Sequence, residues 1–124
     1  MEALGAAVVR HGAEDIGGQL GALRGSDATV VAAIGGDGTV NAGARCAMEM
    51  GVPLLVVPAG TMDLVARDLC VPVEFDGLIE ALPGMVETRV DVAAVNGELF
   101  LHSSVLGVVP RLARIRERMR SARG

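Results

Sequence analysis

The sequence contains no tryptophan, no tyrosine and no lysine, and its two phenylalanines amount to 2% of 124 residues. A chain this poor in aromatic side chains is not built to stack bases along a single nucleic-acid strand, which excludes that class of binding. Every basic residue is arginine, whose planar guanidinium group favours recognition of phosphate or carboxylate. Hydrophobic residues make up 51% of the chain, so a folded core is expected, built from aliphatic side chains and methionine.

Cysteine and long apolar runs are also scarce. Cys46 and Cys70 are too few and too far apart for a disulfide framework, and no Cys-x-x-Cys or His-rich pattern predicts zinc. We expect both to be reduced thiols in the core. No apolar run approaches the roughly 18–20 residues of a membrane span, and the first residues lack a signal-peptide pattern. These features predict a cytoplasmic protein made of one domain or part of one.

Charge is unevenly distributed along the chain. The formal net charge is −4, yet residues 110–124 contain six arginines and one glutamate. Leu112, Ile115 and Met119 share one helical face among these arginines, which predicts an amphipathic helix starting near Pro110. Such a helix could make a peripheral contact with an anionic membrane or pack on the body of the protein. The sequence favours packing.

Two strand–turn–helix units follow one another in the first half of the chain. The apolar residues 28–34 and 54–57 predict buried strands, followed by glycine turns and by helices over residues 41–50 and 62–69. The first of these helices should end at Gly51, a natural C-cap. Alternation of this kind is typical of parallel βαβ topology, in which ligands bind at the carboxyl ends of the strands. The predicted fold class is α/β, a small parallel sheet flanked by helices.

Additional elements are predicted outside these two units. Residues 13–24 and 75–82 have the apolar spacing of helices, although glycines weaken the first. Residues 85–95 and 98–103 are β-like, and Asn96-Gly97 between them is a strong hairpin signal. A β hairpin and a terminal helix should therefore follow the parallel sheet.

The turn GGDGTVN at residues 35–41 carries the most information about function. Glycine permits close backbone approach, and the N–H groups at a helix start attract phosphate. Asp37 either caps the following helix or binds a cation, accepts a proton or holds a substrate hydroxyl. The turn fits neither a Walker A loop nor a Rossmann fingerprint. A second glycine turn, PAGT at residues 58–61, follows the next strand, and the pair favours a polyphosphate ligand.

These motifs resemble those of the diacylglycerol-kinase-type lipid kinases. The resemblance rests on GGDGTVN, on VPAGTM at residues 57–62 and on ARDL at residues 66–69. It extends through RVDV at residues 89–92 and covers roughly residues 14–124. NAD kinases share the glycine–aspartate motif, but the block around the second turn is closer to the lipid kinases.

The resemblance implies an ATP-dependent transfer of phosphate to a lipid hydroxyl such as that of diacylglycerol, with Mg²⁺ as cofactor. Asp37 would be the catalytic residue, beside the transferred phosphate. The residues implied in nucleotide binding are Gly35, Gly36, Gly38, Thr39, Asn41, Gly60, Thr61 and Asp63. Asp37 alone cannot form a magnesium site, and the resemblance implies that the family's C-terminal β-rich domain supplies the magnesium ligands and the catalytic base. No residue of this chain is therefore assigned as a metal ligand.

The chain also departs from the family pattern. Asp63 stands where the family usually has asparagine, and a carboxylate beside phosphate adds repulsion. We expect residues 1–85 to form a nucleotide-binding domain that is incomplete at its N-terminus. Residues 86–124 should form the crossover into a truncated β-rich domain. The alternatives are an inactive nucleotide-binding or self-associating fragment of the family, which would form homo-oligomers, and a relative of the NAD kinases.

Overall fold

The structure, a computed structural model, describes residues 16–102. The chain divides into two compact units, with the boundary between Asp91 and Val92. The predicted helix near Pro110 and its arginines lie outside the described residues. Within the described range, no helix combines the length and the apolar character needed to cross a membrane.

The first unit alternates helices with strands. Its elements are α1 (Ile16–Arg24), β1 (Val31–Gly35), α2 (Asp37–Met50), β2 (Leu54–Pro58), α3 (Leu64–Asp68), α4 (Phe75–Ala81) and a 3₁₀ turn at Leu82–Gly84. The two strands pair in parallel, with Val31 opposite Leu54 and Gly35 opposite Pro58. Because α2 connects them, the predicted α/β fold with a small parallel sheet flanked by helices is confirmed.

One face of the parallel sheet packs on α2. Along β1, Val31 and Ala33 are buried, whereas Ala32 and Ile34 point to the opposite, exposed face. A Cβ added at Gly43 of α2 would lie only 2.8 Å from the Cβ of Ala33, so the helix rests directly on the strand. The buried hydrophobic residues are Val31, Ala33, Val40, Ala44, Cys46, Ala47, Val56, Val65, Ala66 and Leu78. The core therefore consists mainly of small side chains.

The cysteines occupy different environments. Both are free thiols, and Cys46 is fully buried in the cluster formed with Val31 and Ala47. Cys70 is exposed, which contradicts the expectation that both thiols lie in the core. It follows the end of α3 in a left-handed conformation (φ 56°), at a turn on the surface.

The second helix begins earlier than the sequence predicted. Gly36 is its N-cap, so α2 starts at Asp37 rather than at Asn41. The glycines and β-branched residues of the motif have low helix propensity, which hides this first turn in the sequence. At the other end, Gly51 adopts the left-handed conformation of a C-cap, as predicted (φ 68°).

The described part of the second unit is a short hairpin. Strands β3 (Ala93–Val95) and β4 (Glu98–Phe100) pair antiparallel. Asn96 and Gly97 both have positive φ, at 51° and 78°, which confirms the predicted two-residue turn. The prediction of a strand over residues 85–95 is wrong for residues 85–92, which form no strand. Because β4 has only three residues, only Ala93–Val95 find partners on it. A strand over residues 85–92 would have no partner there and would leave its backbone hydrogen-bonding groups unsatisfied.

Candidate functional site

The two glycine turns meet at one edge of the parallel sheet. Gly35 and Pro58 lie opposite each other at the ends of β1 and β2, and the Ala59 N–H donates to the Gly35 carbonyl at 3.1 Å. Just beyond, a Cβ added at Gly60 would collide with the Cα of Gly36 and lie 3.1 Å from its nitrogen. The backbones of the turns therefore touch, and this contact requires glycine at position 60.

The first turn presents the start of α2. The Val40 N–H donates to the Gly36 carbonyl at 3.0 Å, which is the first turn's own helical hydrogen bond. The N–H groups of Asp37, Gly38 and Thr39 precede that bond and form the donor-rich end of the helix. Gly38 is exposed, and a Cβ added there would have no heavy atom within 4 Å. The space beside Gly38 is therefore open.

Thr39 packs back over the end of β1. A Cβ added at Gly35 would lie 2.6 Å from the Thr39 hydroxyl oxygen and 2.7 Å from its Cβ. Gly35 is therefore the residue that lets the half-buried Thr39 side chain occupy this position. Thr61, the corresponding threonine of the second turn, is exposed.

Asp37 links the first turn to a different helix. Its Oδ1 accepts the N–H of Val65, in the first turn of α3, at 3.1 Å. Asp37 is the first residue of α2 and not its N-cap, which is Gly36. No side chain caps the start of this helix. The alternative that Asp37 caps its own helix is therefore wrong. The bond to Val65 holds the half-buried Asp37 carboxylate in a fixed orientation between the first turn and α3.

Asp63 closes the second turn. Its side-chain Oδ1 accepts the Gly60 N–H at 2.9 Å, and its backbone is left-handed, with φ 48° and ψ 46°. Asparagine and aspartate tolerate this conformation better than other non-glycine residues. Asp63 is 8% exposed and is the buried charged residue of the described chain. One backbone donor of the second turn is thus already bound to a carboxylate of the protein.

Two more side chains border the turns. Arg67 donates from its Nε to the Met62 carbonyl at 2.9 Å, which ties α3 to the second turn. Asn41 lies one helical turn beyond Asp37, and its Oδ1 is buried without a hydrogen-bond partner among residues 16–102. Buried acceptors are usually paired, so this oxygen is available to a donor that the described chain does not supply.

The comparison with known families agrees with this geometry. The chain matches the diacylglycerol kinase catalytic domain over residues 8–95, which is most of its length. The chain belongs to the diacylglycerol kinase catalytic domain family. This membership confirms the resemblance seen in the motifs and identifies a lipid-kinase-type chain. No solved structure matches it significantly.

A diacylglycerol kinase domain implies a nucleotide substrate and usually a divalent metal. Within residues 16–102, no group of three or more His, Cys, Asp or Glu side chains could hold a metal ion. Mg²⁺ prefers octahedral oxygen ligands and is commonly held by one or two carboxylates together with phosphates and water. A magnesium ion here would therefore need phosphate and water oxygens in addition to any carboxylate of the described residues.

The sequence missed the contacts that join the first turn to α3 and to the second turn. Val65 was not a candidate site residue, and nothing local in the sequence connects its N–H to a carboxylate in the other turn. In the sequence, only the presence of glycine in both turns indicated the contact between Gly36 and Gly60. The candidate residues that the structure brings together are Gly35, Gly36, Asp37, Thr39, Gly60 and Asp63.

Proposed function

We propose that this chain supplies the nucleotide-binding part of an ATP-dependent lipid kinase. ATP would be the phosphate donor, and the hydroxyl of a diacylglycerol-like lipid would be the acceptor. The observation that carries the proposal is the contact between Gly36 and Gly60 at the carboxyl ends of two parallel strands, within a chain of the diacylglycerol kinase family. In open α/β sheets this edge is where ligands bind.

The start of α2 is the proposed phosphate site. The N–H groups of Asp37, Gly38 and Thr39 and the positive end of the helix dipole favour an anion there. Gly60 would contribute close approach rather than a donor, because its N–H is bound to Asp63. The remaining proposed binding residues are Gly35, Gly36, Asn41, Thr61 and Asp63.

Asp37 is the proposed catalytic residue. Because its Oδ1 is held by the Val65 N–H, the carboxylate has a defined position at the start of α2. There it would orient the acceptor hydroxyl toward the transferred phosphate. Phosphoryl transfer depends mainly on positioning and on charge stabilisation, so a fixed carboxylate suits this role. Mg²⁺ would neutralise phosphate charge.

The proposal also assigns the two parts of the chain. Residues 1–85 would bind nucleotide, and residues 86–124 would form the crossover into a β-rich second domain. The family match supports this lipid-kinase assignment over an NAD-kinase relative.

Calorimetric titration with ATP and ADP, with and without Mg²⁺, tests the proposal. Gly38→Ala is the informative variant, because its new Cβ projects into open space and leaves the fold intact. We expect the native chain to bind nucleotide and Gly38→Ala to bind at least tenfold more weakly, a loss of about 1.4 kcal/mol.

Gly84→Ala is the matched control for this titration. Its Cβ also meets no heavy atom within 4 Å, but it lies in the 3₁₀ turn rather than at the site. It should bind like the native chain. Absence of binding by the folded native chain, or equal affinity of all three proteins, would contradict the proposal.

Self-association without catalysis is a second candidate function. Ile34 is 66% exposed on the sheet face opposite α2, and Ala32 is exposed beside it. Parallel sheets are normally covered on both faces, so an open apolar face favours pairing with a second copy. Light scattering combined with the same titration separates the two candidates. A dimer that binds no nucleotide would favour this one, and a monomer that binds ATP would contradict it.

A further inference from the structure

We propose that Asp63 is a built-in anion that makes the phosphate site discriminate against phosphate groups carrying no cation. The inference rests on the proposed function, because it concerns the same site. Its basis is a buried carboxylate lying next to the start of α2, in addition to the half-buried carboxylate of Asp37 in the first turn of that helix.

The position of the carboxylate follows from the contact between the two turns. The point where a Cβ of Gly60 would stand lies 2.8 Å from Asp63 Oδ1 and 3.1 Å from the Gly36 nitrogen. Both atoms therefore border one small volume between the turns. The positive end of the α2 dipole, which would attract phosphate, already has a carboxylate beside it.

The carboxylate is also held in place. Asp63 is 8% exposed, and its Oδ1 accepts the Gly60 N–H at 2.9 Å. Movement away from the site would break this bond and leave the Gly60 donor unsatisfied. Because charges in a buried position are screened much less than charges in solvent, the repulsion acts on any anion that enters the site.

The selectivity follows from the charge of the ligand. A polyphosphate without a bound cation brings its full negative charge to the start of α2 and meets the full repulsion from Asp63. A polyphosphate with a bound divalent cation brings less negative charge and meets less repulsion. Asp63 thereby favours the cation-bound form of the nucleotide over the free form.

The substitution Asp63→Asn tests this inference by removing the charge and little else. Asparagine keeps a side-chain oxygen that can accept the Gly60 N–H, and it tolerates the left-handed backbone. Asp76→Asn is the control, because it removes one carboxylate from the exposed start of α4. Thermal melts of all three proteins would verify that they are folded.

The measurement is calorimetric titration with ADP in the presence of EDTA. We expect Asp63→Asn to bind at least tenfold more tightly than the native chain, and Asp76→Asn to stay within twofold of it. With excess Mg²⁺ in place of EDTA, the advantage of Asp63→Asn should shrink severalfold. An advantage of equal size in both conditions would overturn the inference.

The other outcomes separate the inference from the proposed function. If the native chain binds ADP and Asp63→Asn binds equally or more weakly, the inference is overturned while the proposed function stands. If the native chain binds only with Mg²⁺ while Asp63→Asn also binds in EDTA, the inference is supported and the proposed function stands. If only Asp63→Asn binds in both conditions, the inference and the proposed function of the native chain are both overturned. If neither folded protein binds with or without Mg²⁺, both are overturned.

Discussion

Among the glycines of residues 16–102, Gly60 is the one at which an added methyl group should be most destabilising. Its Cβ would collide with the Cα of Gly36, a backbone atom that no side-chain rotation can move away. We expect Gly60→Ala to lower the free energy of unfolding by about 1–3 kcal/mol, as overpacking typically does. Urea denaturation followed by circular dichroism would measure the change.

The same measurement on Gly84→Ala provides the reference, since its Cβ enters open space. Its free energy of unfolding should change by less than about 0.5 kcal/mol. Equal stability of the Gly60 and Gly84 variants would show that the two turns do not touch in solution.

Cys70 occupies a position that usually belongs to glycine. The Val71 N–H donates to the Ala66 carbonyl at 2.8 Å, which closes the end of α3 around a left-handed Cys70. Gly51 has the corresponding place after α2. A non-glycine residue in this conformation is strained by about 1–2 kcal/mol, whereas glycine loses more backbone entropy on folding.

We therefore expect Cys70→Gly to raise the free energy of unfolding by about 0.5–1 kcal/mol, the balance of these opposing effects. Cys70→Ala, which removes the exposed thiol but keeps a Cβ, should give no such gain. Chemical denaturation under reducing conditions would compare the three chains. A larger gain from alanine than from glycine would mean that the thiol, not the backbone, determines the effect.

At the scale of elements, α3 depends on a group outside itself. It has only five residues, and Asp37 accepts the N–H of Val65 in its first turn. Asp37→Ala should lower the free energy of unfolding by about 1 kcal/mol, the typical contribution of such a hydrogen bond. It should also accelerate hydrogen exchange at the Val65 amide. Asp37→Asn should preserve most of the protection, because it retains an acceptor.

The Val31 amide serves as an internal reference for this exchange experiment. It donates to the Pro53 carbonyl at 3.0 Å, away from the site, and its protection should change much less. Unchanged exchange at Val65 in Asp37→Ala would refute the link between the first turn and α3.

The elements that the sequence predicted correctly are those encoded by local patterns. Asn96-Gly97 is an example, because positive φ at two consecutive residues is a local preference of these residue types. The strand predicted over residues 85–95 failed over residues 85–92 for the opposite reason. Its apolar residues have strand propensity, but a strand also needs a partner, and no pattern within a segment provides one.

The candidate site was predictable only in part. The glycines and Asp37 stand out as residue types suited to phosphate chemistry, and the parallel topology predicted that both turns share one edge of the sheet. The bond from the Gly60 N–H to Asp63 joins residues only three apart, within one turn. The pairing of Asp37 with Val65 joins residues 28 positions apart, so it depends on how α3 packs and not on local sequence.

At the scale of the whole molecule, Ala32 and Ile34 leave exposed apolar surface on the face of the parallel sheet opposite α2. We expect the native chain to self-associate in a concentration-dependent way through this face. Ile34→Gln should lower the apparent mass measured by light scattering at a given concentration, because it replaces a 66% exposed apolar side chain on that face.

Val86→Gln is the matched control, since Val86 is 85% exposed but does not belong to the sheet. It should leave the apparent mass unchanged. A native chain that remains monomeric at every concentration would contradict self-association, and equal effects of both substitutions would locate the interface elsewhere.

The contact between Gly36 and Gly60 also has a kinetic consequence. The two residues can meet only after β1, α2 and β2 have formed in register, so their contact should be absent from the folding transition state. Interactions formed this late change the unfolding rate and leave the folding rate nearly unchanged. A nucleotide bound across the turns would therefore lengthen the lifetime of the native chain. In a cell, the concentration of the nucleotide would then help to determine how long the protein survives proteolysis.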